Sequence, residues 1–112
     1  MCPSSKLFIV TRADLSPGAR AAQLAHAALA FAFEHPEIVK EWHAGSNNIV
    51  LLEAKDEQAL HALGCRAHAA GVAWAMFMEP DFDNATTAIA IAPDGWRLVS
   101  SLPLALRPPK AA

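Results

Sequence analysis

Two kinds of hydrophobic pattern alternate along the chain. Short runs of consecutive apolar residues are typical of strands buried on both faces, and four such runs predict strands at 6–12, 48–53, 72–78 and 86–92. Longer segments consist of good helix formers, repeat their apolar residues every three or four positions, and begin at capping residues such as Ser16 and Asp56. These segments predict helices at 17–34, 36–42 and 57–70.

The order of these elements predicts the fold class. A strand–helix–strand–helix–strand order is typical of parallel strands joined by right-handed crossovers, with a helix layer on each face of the sheet. The connection from Met78 to Thr86 is too short for a helical crossover, so the last strand is expected to run antiparallel to the third. We therefore predict a three-layer α/β/α fold around a mixed four-stranded sheet, with three strands parallel and the last antiparallel.

Length and composition predict one domain of an ordinary folded protein. The chain has 112 residues, of which 54% are hydrophobic and 18% charged, which excludes a disordered chain. We expect residues 1–112 to form a single domain, with 99–106 packed back on its body and 107–112 as a flexible tail. No apolar run is long enough for a transmembrane helix, and the first run, 7–10, is too short for a signal peptide. A cytoplasmic location is expected, with Cys2 and Cys65 as free thiols.

The charge balance bears on possible nucleic-acid partners. Nine basic and eleven acidic residues give a net charge of −2. Proteins that bind nucleic acid through its phosphates usually carry a clear basic excess. The overall charge therefore argues against tight, non-specific binding to nucleic acid and leaves a local basic patch possible.

The junction between the first strand and the first helix is a candidate site wall. In open α/β sheets, ligands gather outside the carboxyl ends of the strands, and the amides at a helix start can hold an anion. The loop from Thr11 to Gly18 carries Arg12 and Asp14 at this place. The alternative is an ordinary capped turn in which the two charged side chains are solvated or paired.

Two polar residues share one face of the first helix. Gln23 and His26 are three positions apart, on a face that the pattern turns away from the apolar stripe of Leu24, Ala28 and Phe31. An imidazole can act as a general base towards water because its ordinary pKa, about 6.5, allows both protonation states near neutrality. Gln23 could then orient a substrate amide or the water. The alternative is a packed or solvated histidine.

An acidic loop follows the third strand. Residues 79–87 contain Glu79, Asp81 and Asp83 together with Thr86 and Thr87, and the loop should lie on the same rim of the sheet as the 11–18 loop. One carboxylate could hold the imidazole of His26. A solvated acidic loop and a Mg²⁺ or Ca²⁺ site are the alternatives, although the spacing matches no cation-binding loop.

A third helix carries a possible zinc-binding face. His61, Cys65 and His68 follow one another at helical spacing, and these residue types bind zinc. This face points away from the buried stripe and has no fourth ligand in sequence. The pattern therefore favours a solvent-exposed face, and we expect neither a metal nor another cofactor.

Taken in order, these segments resemble the type 2 peptidyl-tRNA hydrolase family over roughly residues 6–93. The most specific match is the helix stretch 21–28, which reads Ala-Ala-Gln-Leu-Ala-His-Ala-Ala. The other matching segments are Val10 to Leu15 with Gly18, Ile49 to Leu52, Asp56-Glu57 with Leu60, and Thr87 to Pro93.

The resemblance implies an activity and a set of site residues. Enzymes of this family cleave the ester that joins a peptide to the terminal ribose of tRNA, with no required cofactor. The catalytic residues it implies here are His26 as base or proton relay, Glu79 as the acid after the third strand, and Thr87 as hydrogen-bond donor to the oxyanion, together with loop amides. The residues expected to bind substrate are Arg12, Asp14, Arg20, Gln23, Asp81 and Thr86.

Two departures from the family pattern keep other functions open. The family has a lysine one turn before the glutamine, where this chain has Ala19, and the nearest base, Arg20, points about 100° away from that direction. The loop after the third strand also lacks the family's Gly-Arg-Thr pattern. The alternatives are a binding or regulatory domain, and a hydrolase or transferase acting on a less anionic substrate.

Oligomerisation is a further expectation. Several apolar residues outside the predicted core could supply a contact surface between two copies of the chain. They are Phe33, Trp96, Leu102, Pro103 and Leu104.

Overall fold

The fold is described by a computed structural model that covers residues 5–108. The four strands are Lys6–Arg12 (β1), Asn48–Ala54 (β2), Trp74–Glu79 (β3) and Ala85–Ile91 (β4). The helices are Pro17–Glu34 (α1), Pro36–Gly45 (α2), Glu57–Ala69 (α3) and the single turn Trp96–Val99 (α4). All predicted strands and helices are confirmed to within three residues at each end, and the short α4 was not predicted.

The capping residues begin the two main helices as predicted. The side chain of Ser16 accepts a hydrogen bond from the amide of Ala19 and is followed by Pro17 at the first helical position. Asp56 accepts from the amide of Ala59 at 2.9 Å. Each cap satisfies an amide that the helix itself leaves unpaired, which fixes where α1 and α3 leave the sheet.

The strand order of the sheet is β2-β1-β4-β3. β1 and β2 pair in parallel, and β4 pairs antiparallel with both β1 and β3. The mixed sheet and the antiparallel β3–β4 pair are confirmed. The expectation of three parallel strands is wrong in one detail: β1, β2 and β3 run in the same direction, but β4 is inserted between β1 and β3, so only β1 and β2 form a parallel pair.

Helices cover both faces of the sheet, which confirms the three-layer prediction. On one face α1 packs against Leu7 and Ile9 of β1 and against Ala88 and Ala90 of β4. On the other face α3 packs against alternate residues of the same two strands. These residues are Phe8, Val10, Ile89 and Ile91.

A β-bulge breaks this alternation at the start of β4. Phe77 pairs with Ala88, whereas Met78 pairs with Thr86, so Thr87 is an extra residue without a partner on β3. Strict alternation from Ile89 would place Thr87 on the α3 face, but its hydroxyl bonds a side chain of α1. The bulge therefore directs Thr86 and Thr87 to opposite faces of the sheet.

The segment after α4 returns to the sheet and covers the outer edge of β2. The amide of Glu53 donates to Pro103 O at 3.0 Å, and the amide of Ala105 donates to Leu51 O at 2.8 Å. This confirms that 99–106 packs on the body. Arg107 and Pro108 are exposed and irregular, whereas the rest of the expected tail, 109–112, and Cys2 lie outside the described residues.

Three remaining expectations concern the surface. Cys65 is exposed and its thiol is free. Phe33, Trp96 and Leu104 expose 83%, 52% and 55% of their surface, so each could contribute to an interface, and the homodimer stays a prediction. None of the helices in the described residues is both long and apolar enough to span a membrane.

Candidate active site

Gln23 joins three elements at the rim formed by the end of β3 and the start of β4. Its Nε2 donates to Glu79 Oε1 at 3.0 Å, and its Oε1 accepts from Thr87 Oγ1 at 2.7 Å. The backbone carbonyl of Thr87 in turn accepts from Thr11 Oγ1 at 2.9 Å. A continuous chain of hydrogen bonds thus runs from β1 through β4 and α1 to the end of β3.

The burial of Gln23 differs from the sequence expectation. The buried residues of α1 are Gln23, Leu24, Ala27 and Phe31, so the helix is rotated slightly from the predicted stripe, and Gln23, only 3% exposed, faces the sheet. An alanine-rich helix gives a weak hydrophobic pattern, because alanine fits on either side. The amide of Gln23 tolerates burial because both its oxygen and its nitrogen are hydrogen-bonded.

His26 lies one turn further along α1 and remains exposed. Its ring stacks on Phe77 of β3, with 4.4 Å between ring centroids and 12° between ring planes. Phe77 and Glu79 point to the same face of β3, so His26 and Glu79 lie on the same side of the sheet, beside α1. The hydrogen bonds of the Glu79 carboxylate go to Gln23 and to the amide of Asp81, the latter at 3.4 Å.

The acidic loop is a tight turn. Pro80–Phe82 forms one turn of 3-10 helix, and Asp83 and Asn84 both adopt left-handed backbone conformations, with φ of 55° and 61°. Aspartate and asparagine tolerate this conformation better than most residues, which explains how so short a loop reverses the chain. Asp81 and Asp83 are exposed, so the loop presents negative charge to solvent.

The two arginines predicted to bind substrate are both engaged in ion pairs. Arg12 meets Asp14 through two nitrogen–oxygen contacts of 2.9 Å, and this hydrogen-bonded pairing lowers the pKa of the Asp14 carboxyl and raises the pKa of Arg12. Arg20 Nη1 lies 2.7 Å from Glu53 Oε2, and both side chains are mostly buried. Arg20 therefore points towards β2 and not towards Gln23.

Thr86 faces the opposite side of the sheet from Thr87. Its amide donates to Glu57 Oε2 at 2.8 Å, and its hydroxyl lies 2.9 Å from His61 Nε2. Sequence reasoning missed this contact of Glu57 and His61. The available signal was their spacing of four positions, which places both side chains on one face of α3.

The α3 face whose residue types can bind zinc is exposed, as its sequence pattern favours. His61, Cys65 and His68 all face solvent, and His61 Nε2 is within hydrogen-bond distance of Thr86. Among residues 5–108, no group of three or more histidine, cysteine, aspartate or glutamate side chains is arranged to hold a metal ion.

Comparison with known families bears directly on this site. The model of the family described as peptidyl-tRNA hydrolase PTH2 matches residues 5–107, nearly the whole chain. The chain belongs to the type 2 peptidyl-tRNA hydrolase family. The stretch 21–28, which first suggested the family, supplies Gln23 and His26 of the site, and the last strand supplies Thr87. The family's lysine position, Ala19, is half-buried one turn before Gln23.

Solved structures support the fold. A protein of unknown function from Agrobacterium tumefaciens strain C58 matches with a TM-score of 0.66 and 16% sequence identity, and the match covers 88% of this chain and 96% of that one. At this identity the likeness bears on the fold alone. No curated protein sequence matches this member of the peptidyl-tRNA hydrolase family significantly.

Proposed function

We propose that this protein is a carboxylic ester hydrolase of the peptidyl-tRNA hydrolase type, which cleaves peptidyl-tRNA in the cytoplasm to free peptide and tRNA. The observation that carries the proposal is the hydrogen-bonded chain from Thr87 through Gln23 to Glu79, which ends on the same side of the sheet as the exposed His26. Family membership supplies the reaction class.

The mechanism assigns the base to His26. Its ring is held by Phe77 but open to solvent, so it can take a proton from the water that attacks the ester carbonyl. The same proton can then pass to the ribose oxygen as the ester bond breaks, which leaves the free peptide and tRNA. Glu79 is half-buried at the end of the hydrogen-bonded chain, where a carboxylate oxygen can accept a hydrogen bond from the attacking water. The loop 80–84 offers few free donors to the developing oxyanion, because Pro80 has no N–H and the amides of Asp81 and Asn84 donate to Glu79.

We assign Thr87 a positioning role in place of the expected hydrogen bond to the oxyanion. It is completely buried, and its single hydroxyl proton is donated to Gln23 Oε1. This hydrogen bond fixes which end of the Gln23 amide faces Glu79, so that Nε2 is the donor to the carboxylate. Thr87 and Gln23 together hold Glu79 in place without contacting the substrate.

The test is hydrolysis of purified peptidyl-tRNA by the wild type and by His26→Ala. Loss of a general base is expected to lower kcat by about 10²- to 10⁴-fold. Because His26 is exposed, the variant should unfold at nearly the wild-type temperature. His68→Ala removes an exposed histidine from α3 and should retain full activity. Equal activity of wild type and His26→Ala would refute the mechanism.

A second candidate is a binding or regulatory domain, or an enzyme for a less anionic substrate. The ion pairs favour it, because Arg12 and Arg20 are both neutralised by carboxylates and the neighbouring loop is acidic. This candidate predicts that the wild type leaves peptidyl-tRNA intact.

A further inference from the structure

The bulge in β4 connects the candidate active site with the opposite face of the sheet. Thr87, on the α1 face, holds Gln23, and its neighbour Thr86, on the α3 face, is bound by α3. Since the two threonines are consecutive, the placement of one restricts the placement of the other.

Every polar group of Thr86 has a partner. Its amide donates to Glu57 Oε2 at 2.8 Å, its hydroxyl lies 2.9 Å from His61 Nε2 and 3.3 Å from Met76 Sδ, and its carbonyl accepts from Arg12 Nη1 at 3.3 Å. Thr86 is buried, whereas the side chains of Glu57 and His61 are 39% and 52% exposed. Glu57 and His61, at the surface of the molecule, therefore hold the buried Thr86 through hydrogen bonds.

We infer that Glu57 and His61 are positioning residues of the candidate active site, which act through the bulge; the inference rests on the function proposed above. The carboxylate of Glu57 accepts the Thr86 amide in a charge-assisted hydrogen bond, which is stronger than a neutral one. This bond and the His61 contact hold Thr86 on the α3 face and keep Thr87 turned towards Gln23.

Loss of the hydrogen bonds that Glu57 and His61 make with Thr86 favours a β4 strand without the bulge. In regular alternation, Thr87 would join Ile89 and Ile91 on the α3 face, and its hydroxyl would leave Gln23. The Gln23 amide would then lose the partner that orients it towards Glu79. Residues on the far side of the sheet thereby determine the placement of Gln23 and Glu79 beside α1.

The test compares Glu57→Ala with Glu57→Gln and His61→Ala. In Glu57→Ala we expect the side-chain amide NMR signals of Gln23 and the methyl signal of Thr87 to shift, and kcat on peptidyl-tRNA to fall about five- to tenfold with KM unchanged. His61→Ala should shift the same signals to a smaller extent. Glu57→Gln keeps an oxygen that can accept the Thr86 amide, so it should restore most of both properties.

The matched control is His68→Ala, which removes an exposed side chain from the same helix and should change neither property. Unmoved Gln23 and Thr87 signals in folded Glu57→Ala and His61→Ala would overturn the inference, as would equal effects of Glu57→Ala and Glu57→Gln. The NMR signals need no activity. If the wild type fails to hydrolyse peptidyl-tRNA but the signals shift, the proposed function fails and the positioning role stands.

Discussion

At the scale of single residues, Gln23 is suited to its position because it is both a donor and an acceptor. Its oxygen takes the proton of Thr87, and its nitrogen gives one to Glu79. A glutamate there would offer two acceptors and would place a second negative charge against Glu79. A leucine would leave the buried hydroxyl of Thr87 without its partner, at a cost of about 1–3 kcal/mol.

Ala19 is the residue at which this chain departs most clearly from its family. It lies one turn before Gln23 and shares the face that carries His26. Ala19→Lys would add a cation on this face, near the Glu79 carboxylate that Gln23 binds, and would restore the lysine of the family pattern. We expect kcat/KM for peptidyl-tRNA to rise about tenfold, measured at low enzyme concentration, since a hydrogen bond to a charged group contributes about 1.5–3 kcal/mol.

Ala21→Lys is the control for this prediction. It adds the same charge to an exposed position about 200° round the helix. An equal gain in both variants would mean that the added charge merely attracts tRNA. No gain in Ala19→Lys would mean that the lysine position has no part in the chemistry of this protein.

At the scale of elements, the sequence predicts most boundaries because local chemistry sets them. Ser16 and Asp56 cap helices because their side chains accept hydrogen bonds from backbone amides, and Pro17 favours a helix start because its ring fixes φ. Both effects depend on neighbouring residues and little on the tertiary structure. The burial of Gln23 and the direction of Thr87 depend on contacts between distant elements. The alanine-rich sequence of α1 does not show that the Gln23 face is buried, and the sequence of β4 does not show the bulge that directs Thr87. These two features emerge only from the structure.

The turn between β4 and α4 contains a glycine that is packed too closely to accept a side chain. Gly95 is buried, and a Cβ added there would lie 2.6 Å from Ile91 Cγ2 and 2.7 Å from Val72 Cγ1. Both neighbours are β-branched and have little rotamer freedom, so the backbone must shift. Gly95→Ala should lower the free energy of unfolding by about 1–3 kcal/mol, as measured by urea denaturation.

Gly18→Ala provides the contrast. A Cβ at Gly18, in the first turn of α1, meets nothing within 4 Å. Alanine favours the helix there, so this variant should be as stable as the wild type or up to about 1 kcal/mol more stable. Similar losses in both variants would show that glycine flexibility, and not close packing, is what Gly95 provides.

At the scale of the whole molecule, the net charge of −2 and the paired arginines predict weak electrostatic binding of tRNA. Each phosphate contact contributes about 0.7–0.9 to the slope of log K against log salt concentration. We expect a slope of magnitude below about 2 in fluorescence titrations with tRNA. Asp14→Asn removes the ion pair of Arg12 and should raise the magnitude of the slope by about 0.7–0.9, which corresponds to one phosphate contact.

Asp94→Asn is the matched control, because it makes the same change of charge at the opposite end of the sheet, where β4 ends. It should leave the slope unchanged. A wild-type slope of magnitude 4 or more, on the order of five phosphate contacts, would contradict the prediction. It would mean that the ion pairs of Arg12 and Arg20 open when tRNA binds.

The arrangement of the whole sheet was the part of the fold that sequence reasoning predicted least well. The pattern identified four strands and the reversal of the last one, but not which neighbours β4 takes. Strand order depends on contacts between distant elements, which the local pattern of apolar residues does not encode. The crossover through α3 places β3 two positions from β1 in the sheet, and β4 lies between them and pairs with both.

The position of β4 also has a consequence for the order in which the molecule is built. The centre of the sheet is the pairing of β1 with β4, in which Thr11 lies opposite Ala88. Contacts between residues so far apart in sequence form late, because a long loop must close first. During synthesis, β1 and β2 leave the ribosome before β4 and can therefore pair without it. The candidate active site beside α1, however, cannot form until residue 91 has left the ribosome and β4 has paired with β1 and β3.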